Sequence, residues 1–251
     1  MRAKGLLVRV PPDHEMRLVA AFFGDIKGYF VEVGANEPRE RSQTWHLEQA
    51  GWTGILIEPQ PDLVEKLHVM RTARVFAVAC SSRGNAGRLL PLHVAGPMSS
   101  LDRNRMSPGA IPETVIQVPV RTLDDILTEA KAPVPLDFLS VDVEGHELDV
   151  LSGFDIARWR PRLILLEDHV ADLDKYRFLQ AAGYRLIRHT EFNGWYVPTD
   201  APVDVGWRDT WEIVRKYYLA LPFRILRNNS RRLRQPFKDR RANRDRAGGA
   251  R

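Results

Sequence analysis

The segment Tyr29-Phe-Val-Glu-Val-Gly-Ala-Asn36 joins five residues, four of them aromatic or β-branched, to a loop that begins with glycine. Aromatic and β-branched residues are typical of buried strands, and a glycine at the strand end permits a close approach of other groups. A second segment, Thr53-Gly-Ile-Leu-Ile-Glu58, has the same form and ends on a carboxylate 24 residues after Gly34. The two segments predict neighbouring parallel strands of an α/β sheet.

Similar apolar runs alternate with helical patterns along the chain, which predicts a Rossmann-like sheet covered by helices on both faces. Glycines and prolines interrupt the pattern between 81 and 120, where we expect an edge hairpin and a mobile loop over 95–112. A turn over 191–194 makes the last two strands antiparallel. Helices lie between the strands, among them 43–50 with Ser42 as its N-cap, 145–151 and 172–182. The strands are predicted over 29–33, 53–57, 75–79, 136–141, 162–166, 184–189 and 195–197.

The net charge of +5 is distributed unevenly along the chain. Residues 1–207 carry a net charge of −5, whereas residues 208–251 hold 14 Lys and Arg against 4 Asp and Glu, a net charge of +10. An acidic body with a basic tail argues against a domain whose main surface grips nucleic acid. We expect one domain over 1–204, with its motif-bearing core over about 29–198, and a basic C-terminal helix and disordered tail over 205–251.

Cysteine content and hydropathy bear on the compartment. The single cysteine, Cys80, excludes an internal disulfide and a multi-cysteine zinc site, and its apolar surroundings predict a small buried residue. The N-terminal apolar run of three residues is shorter than a signal peptide requires. No segment approaches the ~20 apolar residues of a spanning helix. These features predict a cytoplasmic protein.

Polar residues follow the first two predicted strands at the edge where open α/β sheets bind ligands. Glu32, Gly34 and Asn36 end the first strand, and Glu58 ends the second, where a carboxylate can accept hydrogen bonds from ribose hydroxyls. The loop lacks the Gly-x-Gly-x-x-Gly pattern of dinucleotide sites, and its acidic residues would repel a pyrophosphate. Acidic lining suits a cationic nucleoside, and S-adenosylmethionine fits that description.

Four motifs follow one another along the chain: Phe30-Val-Glu-Val-Gly-Ala-Asn36, Gly51-Trp-Thr-Gly-Ile-Leu-Ile-Glu-Pro59, Val120-Arg-Thr-Leu-Asp124 and Phe138-Leu-Ser-Val-Asp-Val-Glu-Gly-His-Glu147. Together they resemble the FkbM family of S-adenosylmethionine-dependent methyltransferases, over roughly 29–198. The resemblance implies a class I methyltransferase fold, with seven strands of which the last is antiparallel. It also implies methylation of hydroxyl groups on sugars, glycans or secondary metabolites. Glu37-Pro38 stands where the family often has Asp-Gly.

The resemblance also implies roles for individual residues around the cofactor. Glu32, Gly34 and Asn36 would surround the methionine part, and Glu58 would bind the ribose. Asp142 would lie below the sulfonium. The predicted cofactor-binding set is completed by Ala35, Ser42, Pro59, Ala79 and Cys80, the last two near the adenine.

Methyl transfer to oxygen needs alignment of the reacting atoms and a base for the hydroxyl proton. Asp142 follows the fourth predicted strand, and Glu167 and His169 follow the fifth, so we expect these three to converge on the acceptor hydroxyl. In one interpretation His169 or His146 is the general base, oriented by a carboxylate. In the other, Asp142, Glu167 and His169 hold a divalent cation such as Mg²⁺ that lowers the pKa of the acceptor.

The C-terminal residues have their own pattern. Apolar residues recur at three- and four-residue spacing from Trp207 to Leu221, which predicts an amphipathic helix packed on the body. Over 223–237 apolar residues alternate with arginine, which indicates attraction to an anionic membrane surface. The alternatives are a solvated run and, last, nucleic-acid attachment. We therefore expect a peripheral position on the inner membrane face and no nucleic-acid partner.

Two functions of different classes are consistent with these features. The first is a S-adenosylmethionine-dependent O-methyltransferase acting on a hydroxyl of a glycan, glycolipid or secondary metabolite. The alternative is a noncatalytic, membrane-associated module that retains the methyltransferase fold. The loop Met98–Arg105 offers hydroxyls and two arginines, and it belongs either to the acceptor site or to the solvated surface.

Overall fold

A computed structural model describes residues 14–106, 110–170, 173–190 and 192–223 of the chain. The strands within these ranges form a seven-stranded sheet and a separate three-stranded sheet. The strands are β1 (Tyr29–Val33), β2 (Thr53–Ile57), β3 (Arg74–Phe76), β4 (Ala79–Cys80), β5 (Leu89–Val94), β6 (Thr114–Arg121), β7 (Phe138–Val141), β8 (Leu163–Glu167), β9 (Tyr184–His189) and β10 (Asn193–Pro198).

Helices connect most of these strands, and the last helix continues into a π-helical segment, Val214–Leu219. The described helices are α1 (His14–Phe23), α2 (Trp45–Gln49), α3 (Pro61–Met70), α4 (Leu123–Ala130), α5 (Glu147–Ser152), α6 (Ile156–Trp159), α7 (Asp174–Ala181) and α8 (Trp207–Ile213). Among the described residues, no helix combines the length and the apolar character needed to cross a membrane.

The large sheet has the strand order β3-β2-β1-β7-β8-β10-β9. Its strands pair in parallel from β3 to β8, whereas β10 pairs antiparallel with both β8 and β9. This is the order of the class I methyltransferase fold, so the predicted seven-stranded Rossmann-like sheet with an antiparallel last strand is confirmed. The winding direction reverses between β1 and β7, and ligands bind at such a reversal in open α/β sheets.

Side chains alternate between the two faces of the sheet, as the period of two along a strand requires. On β1, Val31 and Val33 pack into a core cluster with residues of α4 and α5, while Phe30 packs on the opposite face with residues of α1. All three are almost fully buried. Burying one such side chain contributes about 1.5–3 kcal/mol, so the helices on both faces are held by the same strands that position the site.

The third predicted strand, 75–79, is divided in the structure. Strand β3 ends at Phe76, and the chain then leaves the large sheet, so that Ala79 pairs with Val120 of β6 in the small sheet. The expected hairpin is present as β5 and β6, but it forms this small sheet rather than extending the edge of the large one. Residues 107–109 of the predicted mobile loop lie outside the described residues.

Two predicted helices start later than the sequence suggested. Helix α5 begins at Glu147 rather than at Gly145, because Glu144 and Gly145 have φ angles of 52° and 97°, outside the helical region. Helix α2 begins at Trp45 with Thr44 as its N-cap, so the prediction of Ser42 as the N-cap is wrong. The Ser42 hydroxyl nevertheless accepts a hydrogen bond from the Trp45 N–H at 3.1 Å.

The expected packing of the C-terminal aromatic residues on the body is only partly correct. Tyr217 and Leu221 are buried against Val170 in a small core cluster. Trp207 and Trp211, in contrast, are exposed. The arginine-containing run predicted to be attracted to a membrane continues beyond Phe223, and that part and the disordered tail predicted beyond Pro236 lie outside the described residues.

Candidate functional site

A cleft opens at the carboxyl ends of β1, β2 and β7, where the winding of the sheet reverses. It contains about 580 Å³ of empty space, part of it open to solvent. The structure brings seven of the predicted cofactor residues into the cleft wall: Gly34, Asn36, Glu58, Pro59, Ala79, Cys80 and Asp142.

Gly34 lets the end of β1 come close to the end of β7. Its φ angle is +81°, and a Cβ at this position would lie 1.9 Å from the carbonyl oxygen of Asp142. The N–H groups of Gly34 and Ala35 both donate to the Ile57 carbonyl oxygen, at 2.9 and 3.1 Å. Only glycine satisfies both the backbone angle and the contact, so the floor of the cleft depends on it.

Glu58 presents a buried carboxylate to the cleft. Its Oε2 accepts a hydrogen bond from the Asn36 N–H and its Oε1 from the Gln60 N–H, both at 2.9 Å. Burial raises the pKa of Glu58 to about 7, against the lowering effect of these two hydrogen bonds and with a further rise from Asp62. A carboxylate oxygen can accept more than one hydrogen bond, so Glu58 retains capacity for hydroxyl donors from a ligand.

Glu32 faces the loop that follows β1 instead of the cleft. Its carboxylate accepts hydrogen bonds from the Ser42 hydroxyl at 3.0 Å, the Gln43 N–H at 2.7 Å and the Thr44 hydroxyl at 2.5 Å. Burial raises the pKa of Glu32, with the nearby Arg71 guanidinium opposing the rise. Glu32 and Ser42 therefore fix the loop geometry. Ala35 is likewise buried outside the cleft lining. Direct contact of these three residues with the cofactor stays a prediction.

Arg71 forms hydrogen bonds with the same loop, and the sequence did not identify this residue as part of the site. The buried guanidinium donates to Glu48 at 2.6 Å, to the Pro38 carbonyl at 3.1 Å and to the Thr44 hydroxyl at 2.8 Å. Buried arginines are rare unless their donors are satisfied, as they are here. Because no motif surrounds Arg71 in the sequence, its burial could be found only from the structure.

Three carboxylates meet beside the cleft. Oxygen atoms of Asp142, Glu144 and Glu167 lie within 4.8 Å of one another. Asp142 is surrounded by protein yet open to solvent through the cleft, and burial together with the charges of Glu167 and Glu144 holds its pKa well above the ordinary value. Burial also raises the pKa of Glu167. Such a cluster is stabilised by a neighbouring positive charge, and its oxygen ligands are of the type that Mg²⁺ takes.

His169 lies at the outer edge of this cluster. Its Nε2 is 2.9 Å from Glu167 Oε1, and about half of the side chain is exposed. The hydrogen bond to Glu167 raises the pKa of His169, against the effect of partial burial. The structure places His169 against Glu167, an arrangement that suits a base held by a carboxylate. The described group whose oxygens lie within 4.8 Å of one another contains Asp142, Glu144 and Glu167 but not His169, so it differs from the predicted cation set Asp142, Glu167 and His169. The sequence places Glu144 on the same side as Asp142 if the strand continues, and the structure brings the two together although the φ of Glu144 is positive and lies outside regular strand geometry.

Glu147 positions the segment that carries the cluster. Its Oε1 accepts a hydrogen bond from the Gly145 N–H at 2.8 Å, and its Oε2 is 2.9 Å from Lys175 Nζ. Lys175 also donates to the Glu167 carbonyl at 2.5 Å. Burial raises the pKa of Glu147, but Lys175 and the Gly145 hydrogen bond outweigh it and the pKa is lowered. Glu147 is therefore a buried anion with a structural partner.

The segment after β5 forms part of the cleft wall. Ser99 and Ser100 line the cleft, and the Ser100 hydroxyl donates to the Glu144 carbonyl at 2.8 Å. His146 also lines the cleft, with its Nε2 2.8 Å from the Ser81 hydroxyl oxygen, and burial lowers its pKa. The loop Met98–Arg105 thus contacts the site through its hydroxyls.

The fold, the cleft and the carboxylate cluster agree with one family match. The model of the FkbM methyltransferase domain matches residues 32–186, more than half of the chain. The chain belongs to the FkbM methyltransferase domain family. The matched region of this FkbM domain contains Gly34, Glu58, Asp142 and Glu167, and so includes both the cleft and the cluster.

Individual relatives share less with this FkbM domain. Methyltransferase 1 of Beauveria bassiana (strain ARSEF 2860) is 41% identical over 63 residues, so the chain spans a quarter of the length of that curated relative. The crystal structure of Methyltransferase FkbM from Methylobacillus flagellatus KT is 17% identical, covers 68% of this chain and 43% of its own, and gives a TM-score of 0.43. The N-terminal domain of human METTL16 in complex with SAH is 13% identical. The match covers 78% of this chain and 73% of that domain's chain, with a TM-score of 0.40.

Proposed function

We propose that this FkbM-domain protein methylates a hydroxyl oxygen of a polar acceptor, a glycan, glycolipid or secondary metabolite, with S-adenosylmethionine as the methyl donor. The observation that carries the proposal is one cleft with Glu58 in its wall and Asp142 at the edge of the carboxylate cluster. A carboxyl group suited to ribose and an acidic group suited to a sulfonium therefore line one cleft, at the ends of β2 and β7 on either side of β1. The family match supports the methyltransferase class.

The residues of the cleft would bind the donor in a defined orientation. Glu58 accepts hydrogen bonds from the ribose hydroxyls, and the narrow floor at Gly34 lets the amino-acid part lie close to the backbone. Ala79 and Cys80 provide an apolar wall for the adenine. S-Adenosylmethionine supplies an electrophilic methyl group on its sulfonium, and Asp142 stabilises the positive charge there.

The cluster next to the cleft would prepare the acceptor. His169 accepts the hydroxyl proton while Glu167, hydrogen-bonded to its Nε2, stabilises the imidazolium that forms. Removal of that proton would make the acceptor oxygen nucleophilic towards the methyl carbon, whose bond to the sulfonium sulfur breaks as the bond to oxygen forms, so that S-adenosylhomocysteine is the leaving group. Asp142 and Glu144 face the same space and can orient further acceptor hydroxyls.

A second role for the cluster is favoured by the spacing of its oxygens. Asp142, Glu144 and Glu167 offer three oxygen ligands within 4.8 Å of one another, and this set fits one divalent cation such as Mg²⁺. A cation there would lower the pKa of the acceptor hydroxyl. Loss of methyl transfer in EDTA that returns with Mg²⁺ would assign the cluster to a cation, and unchanged transfer would assign proton removal to His169.

The test is methyl transfer from S-adenosylmethionine with a labelled methyl group to lipid and glycan extracts of host cells that lack the gene. We expect a labelled product that is heavier by one CH₂ and stable to alkali, as an ether is and an ester is not. The variant Asp142→Asn should abolish it, and Glu65→Gln, on the exposed side of α3, should not. Retained biological function in cells carrying Asp142→Asn would instead favour the noncatalytic module.

A further inference from the structure

Helix α8 exposes a face of large aromatic residues. Trp207 and Trp211 are 75% and 56% exposed and lie one turn apart, so they form one surface. Tyr218, Leu219 and Phe223, later in the same segment, are each more than half exposed as well. We call these five exposed residues, taken together and not as one side of the helix, the aromatic face. Exposed apolar groups of this size are uncommon on a monomer surface and mark interaction sites.

The aromatic face is exposed although the helix itself is firmly held on the body. The Arg188 guanidinium donates two hydrogen bonds to the carboxylate of Asp209, from Nε and from Nη2, each at 3.0 Å. The Tyr217 hydroxyl donates to Asp168 at 2.5 Å, and Lys216 donates to the carbonyl of Thr190 at 2.9 Å. The segment therefore docks through its polar side chains and Tyr217, and presents Trp207 and Trp211 outwards.

The most basic part of the chain begins where the aromatic face ends. Residues 224–251, which directly follow Phe223, contain 11 Lys and Arg against 2 Asp and Glu, a net charge of +9. Arg208 adds a guanidinium 5.5 Å from the Trp207 ring. Exposed aromatic residues and positive charge thus follow one another along the chain, and their complement is a surface that is both apolar and anionic.

We propose that the aromatic face, with the basic residues that follow it, is a docking surface for an anionic lipid bilayer. Tryptophan prefers the headgroup region of a membrane, and interfacial helices combine aromatic residues with Lys and Arg. Basic residues next to such a helix are attracted by anionic headgroups. The net charge of +9 on the residues that follow Phe223 favours anionic lipid over a second copy of the same basic chain. This inference does not depend on the proposed methyl transfer.

Vesicle binding by the full chain tests the proposal. We expect cosedimentation with phosphatidylcholine–phosphatidylglycerol vesicles at least about tenfold stronger than with phosphatidylcholine alone, and weaker at high salt. Tryptophan emission should shift to the blue when the anionic vesicles are added. The double variant Trp207→Ser/Trp211→Ser should bind at least about tenfold more weakly. The control Val69→Ser, at an exposed apolar position of α3, should bind as the wild type does.

Four results would overturn the proposal. The first is equal binding to neutral and anionic vesicles, and the second is binding that survives the double tryptophan substitution. The third is a dimer in solution that this substitution dissociates. The fourth is emission of Trp207 and Trp211 that is already blue-shifted without lipid. The third would assign the face to a second copy, and the fourth to the protein's own C-terminal residues. Thermal unfolding of the variant, followed by circular dichroism, checks that its fold is unchanged.

Discussion

Glu58 links the stability of the protein to cofactor binding, and replacement by glutamine tests both. Its pKa is 4.5 in an unfolded chain and about 7 in the folded protein, because the carboxyl is buried. The folded state therefore binds this proton more tightly, and the contribution of Glu58 to stability falls as the pH rises from 4.5 through 7. Between about pH 5 and pH 8 the loss amounts to about 2.5 kcal/mol. The Glu58→Gln variant cannot titrate here and should lack this loss.

The measurement is urea unfolding of the wild type and of Glu58→Gln across that pH range. The free energy of unfolding of the wild type, relative to the variant, should decrease by about 2.5 kcal/mol as the pH rises. Other titrating groups are common to both proteins and cancel in the difference. The constant cost of placing an amide beside the Asn36 or Gln60 N–H also cancels. A difference independent of pH would refute the assignment of a raised pKa to Glu58.

The same variant should bind the cofactor product more weakly. Hydrogen bonds to a charged group contribute about 1.5–3 kcal/mol, so the affinity for S-adenosylhomocysteine at pH 8 should fall roughly 10- to 150-fold. In the wild type the affinity should also fall about tenfold from pH 8 to pH 6, as Glu58 takes up its proton. Calorimetric titration measures both effects, with Glu65→Gln as control. Wild-type affinity in Glu58→Gln would refute a role for this carboxylate in the cleft.

Three further substitutions test other parts of the site. Gly34→Ala should reduce stability by about 2–5 kcal/mol in urea unfolding, since the positive φ and the 1.9 Å approach to the Asp142 carbonyl both oppose a Cβ; a change below 1 kcal/mol would contradict this. Arg71→Ala should cost about 3–5 kcal/mol by leaving Glu48 buried without its partner, whereas an exposed substitution such as Arg177→Ala should cost little. His169→Gln should lower kcat for methyl transfer about 10²- to 10⁴-fold at unchanged affinity for S-adenosylhomocysteine; an unchanged kcat would remove His169 from the reaction.

The sheet could be predicted because its information is local. Short, nearly continuous apolar runs over 29–33 and 53–57, each ended by a residue suited to a turn or a ligand and separated by a helical pattern, indicate buried parallel strands. The meeting of Asp142 and Glu167 followed from the same logic, since neighbouring parallel strands end at one edge. The departure of the chain from the large sheet after Phe76 did not follow, because pairing of Ala79 with Val120 depends on residues 41 positions apart.

The missed features depend on side-chain partners that the sequence does not reveal. Arg71 is buried because Glu48, Pro38 and Thr44 accept hydrogen bonds from its guanidinium. A hydropathy pattern does not predict any of these contacts. The orientation of α8 was predicted from its aromatic residues. Polar contacts such as the one between Arg188 and Asp209 instead hold the opposite orientation, with Trp207 outwards. Amphipathic patterns identify a helix but not which of its sides finds the better partners.

The most direct test of the central claim is a crystal structure of the protein with S-adenosylhomocysteine. The ribose hydroxyls should lie within hydrogen-bond distance of the Glu58 carboxylate, the amino-acid part should lie against Gly34 and Asn36, and the sulfur should point towards Asp142. A ligand bound elsewhere, or bound in the cleft with its ribose away from Glu58, would contradict the assignment of this cleft as the cofactor site.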